Sequence, residues 1–368
     1  MKFTCEKQAL LSAVTNVSGA VAVKNGIPAL EGIFINADND GVTLTGYNLE
    51  LGITSHIDAE VSESGQIVLG SKLFGDIIRK LPDDSVTVTT DESLLVNITG
   101  GISDFKIIGL SADDYPDLPD IDGNESFTIK QNVLASVISQ TVFAVSDSET
   151  RPVHTGCRFA VDGSSLTVAA VDSFRLAVRN ETVISSGSFD FVAPGGSLKE
   201  AVKILADSEE DVKVTLGRSL IRFEMGDNSL ITRRLEGQFL DYERVIPKDA
   251  SIKVVIDRSS FASCVERAAL IISEKYRSPI RCTFGHNKAT MVAATALGSS
   301  KDEVFISGDG KDMTIGFNSR YMLEALKTAP TGELLLEMKD SGSPIVIKPA
   351  EMDDNSFLFL VMPIRLSN

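Results

Sequence analysis

Apolar positions recur along this chain in an order that is repeated three times. The opening segment Phe3-Thr4-Cys5 returns as Phe127-Thr128-Ile129 and again as Val254-Val255-Ile256. A second apolar pattern returns twice at an offset of 124 residues, as Phe74-Ile77-Ile78, Leu198-Ala201-Val202 and Met322-Ala325-Leu326. A repeat of this size is too long for a solenoid unit of roughly 20–50 residues and has the length of a domain. The sequence therefore predicts three similar domains, which we place at residues 1–122, 126–248 and 251–368.

Within the first repeat, the apolar spacing alternates between the helical and the strand period. Residues 6–18 place Leu10, Val14 and Val17 on one face of a helix, and residues 73–81 form a second amphipathic helix that Pro82 ends. The alternating segments predicted as strands are residues 33–35, 42–45, 51–61, 86–89, 94–98 and 105–110. The second repeat has the same order, with linkers at 121–125 and 247–251. Two helices and several antiparallel strands per repeat predict an α+β fold, with the helices on one sheet face.

Composition limits the class of protein. Apolar residues make up 43% of the 368 positions, which is enough to build folded cores. The first residues lack the apolar core of a signal peptide, and no run approaches the roughly 18 apolar residues of a membrane span. The four cysteines are scattered, as expected for buried thiols in a reducing compartment. We therefore expect a cytoplasmic protein that does not contact the membrane.

The charge is strongly negative but unevenly placed. With 35 Lys and Arg against 51 Asp and Glu, the formal charge of −16 argues against an indiscriminate nucleic-acid binder. The second helix of each repeat nevertheless carries cations off its apolar stripe: Lys72, Arg79 and Lys80, then Lys199 and Lys203, then Arg320 and Lys327. Solvated helix faces with the i,i+3 ion pairs Asp76–Arg79, Glu200–Lys203 and Glu324–Lys327 are the simpler interpretation. A shared surface for phosphate contact is the alternative, since the chain has no Trp with which to stack bases.

Sequence signatures of catalysis are missing. The chain contains no G-x-S-x-G nucleophile turn, no phosphate-binding G-x-x-x-x-G-K-[ST] and no dinucleotide-binding G-x-G-x-x-G. The three histidines lie far apart and lack metal-ligand spacing. We therefore predict no catalytic residue, no metal and no cofactor. A structural scaffold and an enzyme with an unrecognised site between domains remain open alternatives.

Several segments, in order along the whole chain, resemble the β subunits of bacterial DNA polymerase III, the sliding clamp family. They are residues 1–4, 44–50 (Leu-Thr-Gly-Tyr-Asn-Leu-Glu), 171–178 (Val-Asp-Ser-Phe-Arg-Leu-Ala-Val), 241–247 (Asp-Tyr-Glu-Arg-Val-Ile-Pro), 315–318 and 361–366. The resemblance implies a head-to-tail ring of two chains in which six similar domains surround duplex DNA without reading its sequence. Such a clamp is not an enzyme. It tethers the replicative polymerase and other proteins with clamp-binding peptides, and a separate clamp loader opens it.

The resemblance also implies three sets of functional residues. The side chains expected to face DNA are Lys24, Lys72, Arg79, Lys80, Arg151, Lys199, Lys203, Arg320 and Lys327. The dimer seam is expected to join Phe105 and Ile107 of one chain to Leu270 and Ile271 of the other. The pocket for partner peptides would comprise His154, Val171, Ser173, Phe174, Arg175, Leu176, Arg244, Val245, Tyr276, Asn318, Tyr321, Met362, Pro363, Ile364 and Arg365.

The pocket departs from the family pattern in ways expected to change its shape. His154 stands where Leu is common, Leu240 where Pro is common, and Ser173-Phe174 where Gly-His is common. Pro344 lies near a position that is often Ser, and the chain continues to Ser367-Asn368 beyond the family's usual end. In the second repeat, Gly195-Gly196 replaces a basic pair. Without the resemblance, Leu176, Val245, Met362 and Ile364 would equally suit a hydrophobic core.

Overall fold

The computed structural model describes residues 1–272, 278–351 and 354–366, and its helices and strands follow the predicted repetition. Each repeat contains one pair of α-helices. Over the described residues these helices are α1 (Lys7–Ser18), α2 (Ser71–Lys80), α3 (Gln131–Val142), α4 (Gly195–Ile204), α5 (Arg258–Ala269) and α6 (Ser319–Thr328). Short 3₁₀ turns occur at Pro28–Glu31, Pro152–Thr155 and Tyr242–Val245.

The first two repeats have nine strands each, in the same order around their helices. In the first repeat they are β1 (Lys2–Glu6), β2 (Gly32–Asp38), β3 (Gly41–Tyr47), β4 (Leu51–Ile57), β5 (Glu60–Glu63), β6 (Gly65–Gly70), β7 (Ser85–Thr90), β8 (Leu95–Gly100) and β9 (Ser103–Ile108). In the second they are β10 (Glu125–Lys130), β11 (Gly156–Asp162), β12 (Ser165–Val171), β13 (Arg175–Thr182), β14 (Ile184–Ser185), β15 (Phe189–Pro194), β16 (Asp211–Leu216), β17 (Leu220–Met225) and β18 (Asn228–Arg233).

The third repeat combines strands that are separate in the others. Its strands, over the described residues, are β19 (Ile252–Asp257), β20 (Ile280–Thr295), β21 (Gly298–Phe317), β22 (Glu333–Met338), β23 (Ile345–Pro349) and β24 (Phe357–Val361). The hairpin of β20 and β21 takes the place of β2, β3, β4, β5 and β6, because β21 pairs with β19 as β5 pairs with β1, and its register shifts near His286. The element order of the fold is therefore the same in all three repeats, which confirms the α+β prediction.

Two of the three sheets cross the boundaries between repeats. One compact unit, residues 1–135, 184–187 and 196–234, holds the sheets β5-β1-β7-β8-β9 and β14-β10-β16-β17-β18-β4-β3-β2-β6. The other, residues 136–183, 188–195 and 235–368, holds β15-β11-β12-β13-β24-β23-β22-β19-β21-β20. The second repeat is divided between the units because its two groups of strands extend sheets of different neighbours. The boundaries of the three domains in sequence stay a prediction.

The helices pack on the sheets through the predicted apolar face. In α1 the buried side chains are Leu10, Ala13, Val14 and Val17, and this helix contacts β3, β4 and α2. Helix α1 lies so close to β3 that a Cβ atom at Gly46 would collide with the backbone carbonyl oxygen of Val17. Glycine is therefore required at this strand position.

The first residue of each repeat's first helix ties the two helices of that repeat together. Lys7 Nζ donates to the Leu81 carbonyl oxygen at 2.7 Å, and Arg258 Nη1 donates to that of Ala329 at 2.5 Å. Gln131 makes the corresponding link by accepting from the Ala206 backbone N–H at 2.9 Å. Lys7 and Arg258 therefore have a structural role at the ends of α2 and α6.

Three local predictions are wrong. The single strand expected over 51–61 is two strands, because β4 and β5 enter different sheets. The strand expected from residue 94 begins at Leu95, because Leu94 has a left-handed backbone with φ of 63°. The ion pair expected within α6 does not form, because Lys327 pairs with Glu266 on α5 at 2.6 Å. Asp76–Arg79 and Glu200–Lys203 do pair, at 2.7 and 2.8 Å.

Candidate functional site

A tight turn between β12 and β13 exposes the side chain of Phe174 and buries that of the next residue, Arg175. Asp172 Oδ1 accepts hydrogen bonds from the backbone N–H groups of Phe174 and Arg175, at 2.7 and 2.9 Å. The turn leaves Phe174 55% exposed and directs Arg175 into the protein. Asp and Asn stabilise such turns because their short side chains reach the backbone two residues ahead.

Arg175 is the electrostatic centre of the site. Its Nε donates to Asp172 Oδ2 at 3.0 Å, and its Nη1 pairs with the carboxylate of Glu324 on α6. The guanidinium carbon lies 4.6 Å from the ring centroid of Tyr321 and 5.6 Å from that of Phe143. Two carboxylates and two aromatic faces therefore compensate a charge that is almost completely removed from water. Arg175 therefore fixes the positions of Asp172, Glu324 and Tyr321, and its charge is already paired within the protein.

An apolar surface open to solvent lies beside this network. Phe174 stacks on Tyr321, with ring centroids 5.9 Å apart and an interplanar angle of 20°. The backbone N–H of Met362 donates to the Phe174 carbonyl oxygen at 2.8 Å. Met362 is 37% exposed and Val245 is 42% exposed. Large apolar side chains held at a surface in this way are typical of a binding site.

A buried cluster underlies this surface. It consists of Ala169, Val171, Leu176, Val178, Tyr242, Val346 and Leu360, with Phe239, Leu240, Ile246 and Leu358 packed against it. The side chains of Val171 and Leu176 are therefore buried within this cluster, 4% and 1% exposed. Leu240, one of the departures from the family pattern, packs against this cluster from its edge.

Two clefts contain His154 and Asn318 of the predicted pocket. A cleft of about 450 Å³ is lined by residues 151–154 and 236–241. The rings of His154 and Phe239 meet there edge to face, with their centroids 5.5 Å apart. Burial, with a smaller effect of Arg151, lowers the pKa of His154. A second cleft of about 510 Å³ is lined by Asn318, Tyr321 and further α6 residues. Asn318 begins α6 by accepting from the N–H groups of Arg320 and Tyr321.

The structure brings together part of the predicted pocket. Phe174, Arg175, Tyr321 and Met362 are in contact, and Ile364 is tied to the end of β21 through Gly316. The side chains of Ser173, Arg244 and Arg365 are exposed, and Arg244 pairs with Asp241 at 2.6 Å; Pro363 is half-buried. Tyr276 and the terminal Ser367-Asn368 lie outside the described residues.

Several residues of the site were not predicted from the sequence. They are Asp172, Glu324, Phe143 and Phe239. Asp172 could have been found, because an acidic residue three positions before a buried arginine at a turn is a local signal. Glu324 and Phe143 are far from Arg175 in sequence, and only the fold brings them to it.

The predicted DNA-facing cations are all exposed. Arg79 and Lys203 pair with a carboxylate of their own helix, and Lys327 with one on α5. Lys72, Lys80 and Lys199 form no ion pair within the described part of the chain. Arg320 lies 5.1 Å from the Tyr321 ring, and Arg151 lines the cleft of His154. Lys24, the remaining member of the set, is exposed between α1 and the 3₁₀ turn at Pro28–Glu31.

The residues predicted for a dimer seam are apolar and partly uncovered. Phe105 is 38% exposed on β9, where Ile107 is half-buried. At the end of α5, Leu270 is 83% exposed and Ile271 is half-buried. Strand β9 is the edge of its sheet, so one side of its backbone lacks a strand partner in the described chain.

All four cysteines are buried and form no disulfide, as predicted for thiols of a reducing compartment. Among the described residues, no group of three or more His, Cys, Asp and Glu side chains could hold a metal ion. None of the helices in the described ranges has both the length and the apolar character that a bilayer crossing needs.

Comparison with known proteins gives one consistent family. Residues 1–119, 128–241 and 243–365 match the N-terminal, central and C-terminal domain models of the DNA polymerase III beta subunit. A beta sliding clamp of Staphylococcus epidermidis is 34% identical over 377 residues, covering 99% of each chain. The crystal structure of the Bacillus subtilis DNA polymerase sliding clamp matches with a TM-score of 0.92 and 31% identity over 100% of both chains. A putative DNA polymerase III beta subunit of Eubacterium rectale matches with a TM-score of 0.91 and 33% identity over 99% of each.

Proposed function

The chain belongs to the family of DNA polymerase III beta subunits, the bacterial sliding clamps, and we propose that two copies close head to tail into a ring around duplex DNA. Members of this family are non-catalytic accessory subunits that make DNA synthesis processive, and DNA and polymerase are the partners of such a clamp. The two-chain ring, the residues that serve each partner and a place in the cytoplasm are the parts we propose.

The observation that carries the ring is a strand pairing that occurs twice within one chain. The last strand of the second repeat, β18, pairs with β4 of the first, with Thr232 opposite Leu51. The last strand of the third repeat, β24, pairs with β13 of the second, with Val361 opposite Arg175. Leu51 and Arg175 both begin their strands, so the two junctions share one register.

A third junction of the same kind has both halves but needs two chains. The last strand of the first repeat is β9, which has a strand partner on one side only in the described chain, and the strand equivalent to β4 and β13 is the start of β21. In the common register, Ile107 lies opposite Gly298 of the second copy. Asp104 then lies opposite Lys301, an opposite-charge pair that favours this register. Pairing also covers the exposed edge of β9, which could otherwise pair with other chains and cause aggregation.

Side-chain packing at the existing junction supports the same assignment. Phe143, directly after α3, meets Phe359 of β24 edge to face at 5.4 Å. The equivalent residues are Leu270, directly after α5, and Phe105 of β9. Phe359 is fully buried, whereas Phe105 is 38% exposed and Leu270 is 83% exposed. A second copy would bury both in the same way, because an apolar core is what a stable interface needs.

A closed ring explains why so acidic a chain would hold DNA. Three repeats per chain give six in the ring, and we propose that the second helices line its hole with their exposed cations. Lys and Arg contacts to phosphates do not depend on base sequence, so each position along the duplex is nearly equivalent and the ring slides. Tethering then raises the effective concentration of a bound polymerase at the primer end.

We propose that the surface formed by Phe174, Tyr321, Val245 and Met362 binds short partner peptides. Its exposed apolar side chains suit the apolar anchors of an extended peptide, and the cleft that Tyr321 lines together with Asn318 offers polar contacts. The polymerase, the clamp loader and other partners with clamp-binding peptides would compete for it. Phe174 in this surface and His154 in the cleft of residues 151–154 and 236–241 depart from the family pattern, and we expect both to change which peptides bind.

The test of the ring uses DNA topology. The chain is loaded by its cognate loader with ATP onto nicked circular DNA, and free protein is removed at high salt. We expect the clamp to stay with circular DNA and to be lost when a restriction enzyme linearises the circle. Equal retention on circular and linear DNA, or none on either, would contradict the ring and leave a structural scaffold as the better interpretation.

A further inference from the structure

The turn before β4, the turn before β13 and the turn before β21 are equivalent. Each is stabilised by a side chain that accepts a backbone N–H two residues ahead: Asn48 from Glu50 at 3.0 Å, Asp172 from Phe174 at 2.7 Å and Thr295 from Leu297 at 3.1 Å. Glu50, Phe174 and Leu297 therefore occupy the same position in the three repeats.

The ends of the last strands are equivalent as well. Met362 donates its backbone N–H to the Phe174 carbonyl oxygen at 2.8 Å, and Arg233 donates to that of Glu50 at 3.1 Å. Arg233 ends β18 opposite Leu220, just as Ile108 ends β9 opposite Leu95. The third member of this set is therefore Ile108, whose acceptor would be Leu297 of a second copy.

The second helix contributes a third position to each junction. Tyr321 is the third residue of α6 and stacks on Phe174. The third residues of α2 and α4 are Leu73 and Ser197. Each junction thus has three corresponding positions: the turn residue, the third residue of the second helix and the residue at the end of the last strand. The side chains at these positions differ in chemistry from one junction to the next. The junction of repeats two and three has Phe174, Tyr321 and Met362; that of repeats one and two has Glu50, Ser197 and Arg233.

At the remaining junction all three positions are apolar and exposed. Leu73 is 56%, Ile108 79% and Leu297 78% exposed in the single chain. We infer that Leu73 and Ile108 of one copy pack against Leu297 of the next, as a second apolar contact of the seam. It lies beyond the strand pair and beyond the Phe105–Leu270 contact. This inference rests on the proposed ring.

The occupant of this patch is a second copy because the patch is divided between the two sides of the seam. Leu73 and Ile108 lie on the side of β9, and Leu297 lies on the side of β21. Neither side alone forms the cluster that Phe174, Tyr321 and Met362 form within the chain. Continuity with the β9–β21 pairing brings the two sides together without any further partner.

Introducing opposite charges at Leu73 and Leu297, first singly and then together, tests the contact. Leu73→Lys and Leu297→Glu each place one uncompensated charge in an apolar contact, so each is expected to raise the dimer dissociation constant by at least about tenfold. The double variant forms a Lys–Glu pair in each seam and is expected to return to within about threefold of wild type. Ile184→Glu is the matched control, because Ile184 is 79% exposed and belongs to neither side of the seam.

Sedimentation velocity over a dilution series measures wild type, the two single variants, the double variant, Ile184→Glu and Phe105→Asp, and thermal melting checks that each is folded. A wild-type chain that stays monomeric would contradict the proposed ring itself. A dimeric wild type that Phe105→Asp dissociates, together with unchanged dissociation constants for both single variants, would retain the ring and overturn this contact. Weakened single variants without recovery in the double variant would also overturn the direct packing of Leu73 on Leu297.

Discussion

Replacing Phe105 by Ala should weaken the dimer by an amount that the structure allows us to estimate. A phenylalanine side chain presents roughly 200 Å² of surface, of which the 38% still exposed in the single chain is about 75 Å². At about 25 cal/mol per Å² of buried apolar area, covering it contributes about 2 kcal/mol per seam. A ring of two chains has two seams, so the loss is about 4 kcal/mol. The dissociation constant should therefore rise by about a thousandfold.

Analytical ultracentrifugation of wild type and Phe105→Ala over nanomolar to micromolar concentrations measures this change. Ile184→Ala is the matched control, since it removes an exposed apolar side chain from β14, which belongs to a different sheet from β9. Because Phe105 is also partly packed within its own chain, urea unfolding of the variant must show that the monomer remains folded. A folded variant with the dissociation constant of wild type would refute the pairing of β9 with β21.

Three further predictions concern the site and the core. Arg175→Ala leaves Glu324 and a second carboxylate without their buried partner, so it should lower the free energy of unfolding by about 3 kcal/mol and greatly weaken binding of a labelled polymerase-tail peptide. Because burial lowers the pKa of His154, the unfolded chain takes up a proton first, and stability should fall as pH drops below 6.5. Burial raises the pKa of Cys5 to about 12 and that of Cys264 to about 11, so iodoacetamide at pH 8 should label native protein far more slowly than unfolded protein.

Each of these three has its own control. Arg175→Lys keeps the charge but loses the planar fork, so it should fall between Ala and wild type in both peptide affinity and unfolding free energy. His154→Leu should lack the loss of stability below pH 6.5 that we expect for wild type in urea titrations. Identical pH profiles of the two proteins would exclude His154 as the cause. Rapid alkylation of the native thiols would contradict their burial.

The repetition of the fold could be predicted because it depends on local spacing. Apolar positions such as Leu10, Val14 and Val17 share a helix face whatever surrounds them, and they are buried in the structure. Membership of a sheet is different. The segment 51–61 alternates as one strand would, yet its two halves enter separate sheets. Nothing in its own residues encodes that division, because it depends on which distant strand is available to pair with each half.

The site shows the same limit. The resemblance named Phe174, Tyr321 and Met362, and the structure brings them together. The sequence also suggested that Glu324 would pair with Lys327, because the two are three residues apart on one helix. Instead, Glu324 pairs with Arg175, which is 149 residues away in sequence. A buried cation with few alternatives attracts a carboxylate more strongly than a solvated lysine does.

The apolar patch at the seam could not be seen in the sequence at all. Leu73 and Ile108 stand in the first repeat and Leu297 in the third, and only the shared turns and strand registers reveal that they correspond to Tyr321, Met362 and Phe174 of the junction within the chain. Their exposure in a single chain then identifies a surface that a second copy would cover.

The proposed function depends most directly on the closure of two chains into a ring. A combined measurement of mass by analytical ultracentrifugation and of shape by electron microscopy tests it. We predict a particle of twice the 39.5 kDa chain mass, with six similar lobes around an open centre. A particle of one chain, or one of two chains without a central hole, would contradict it.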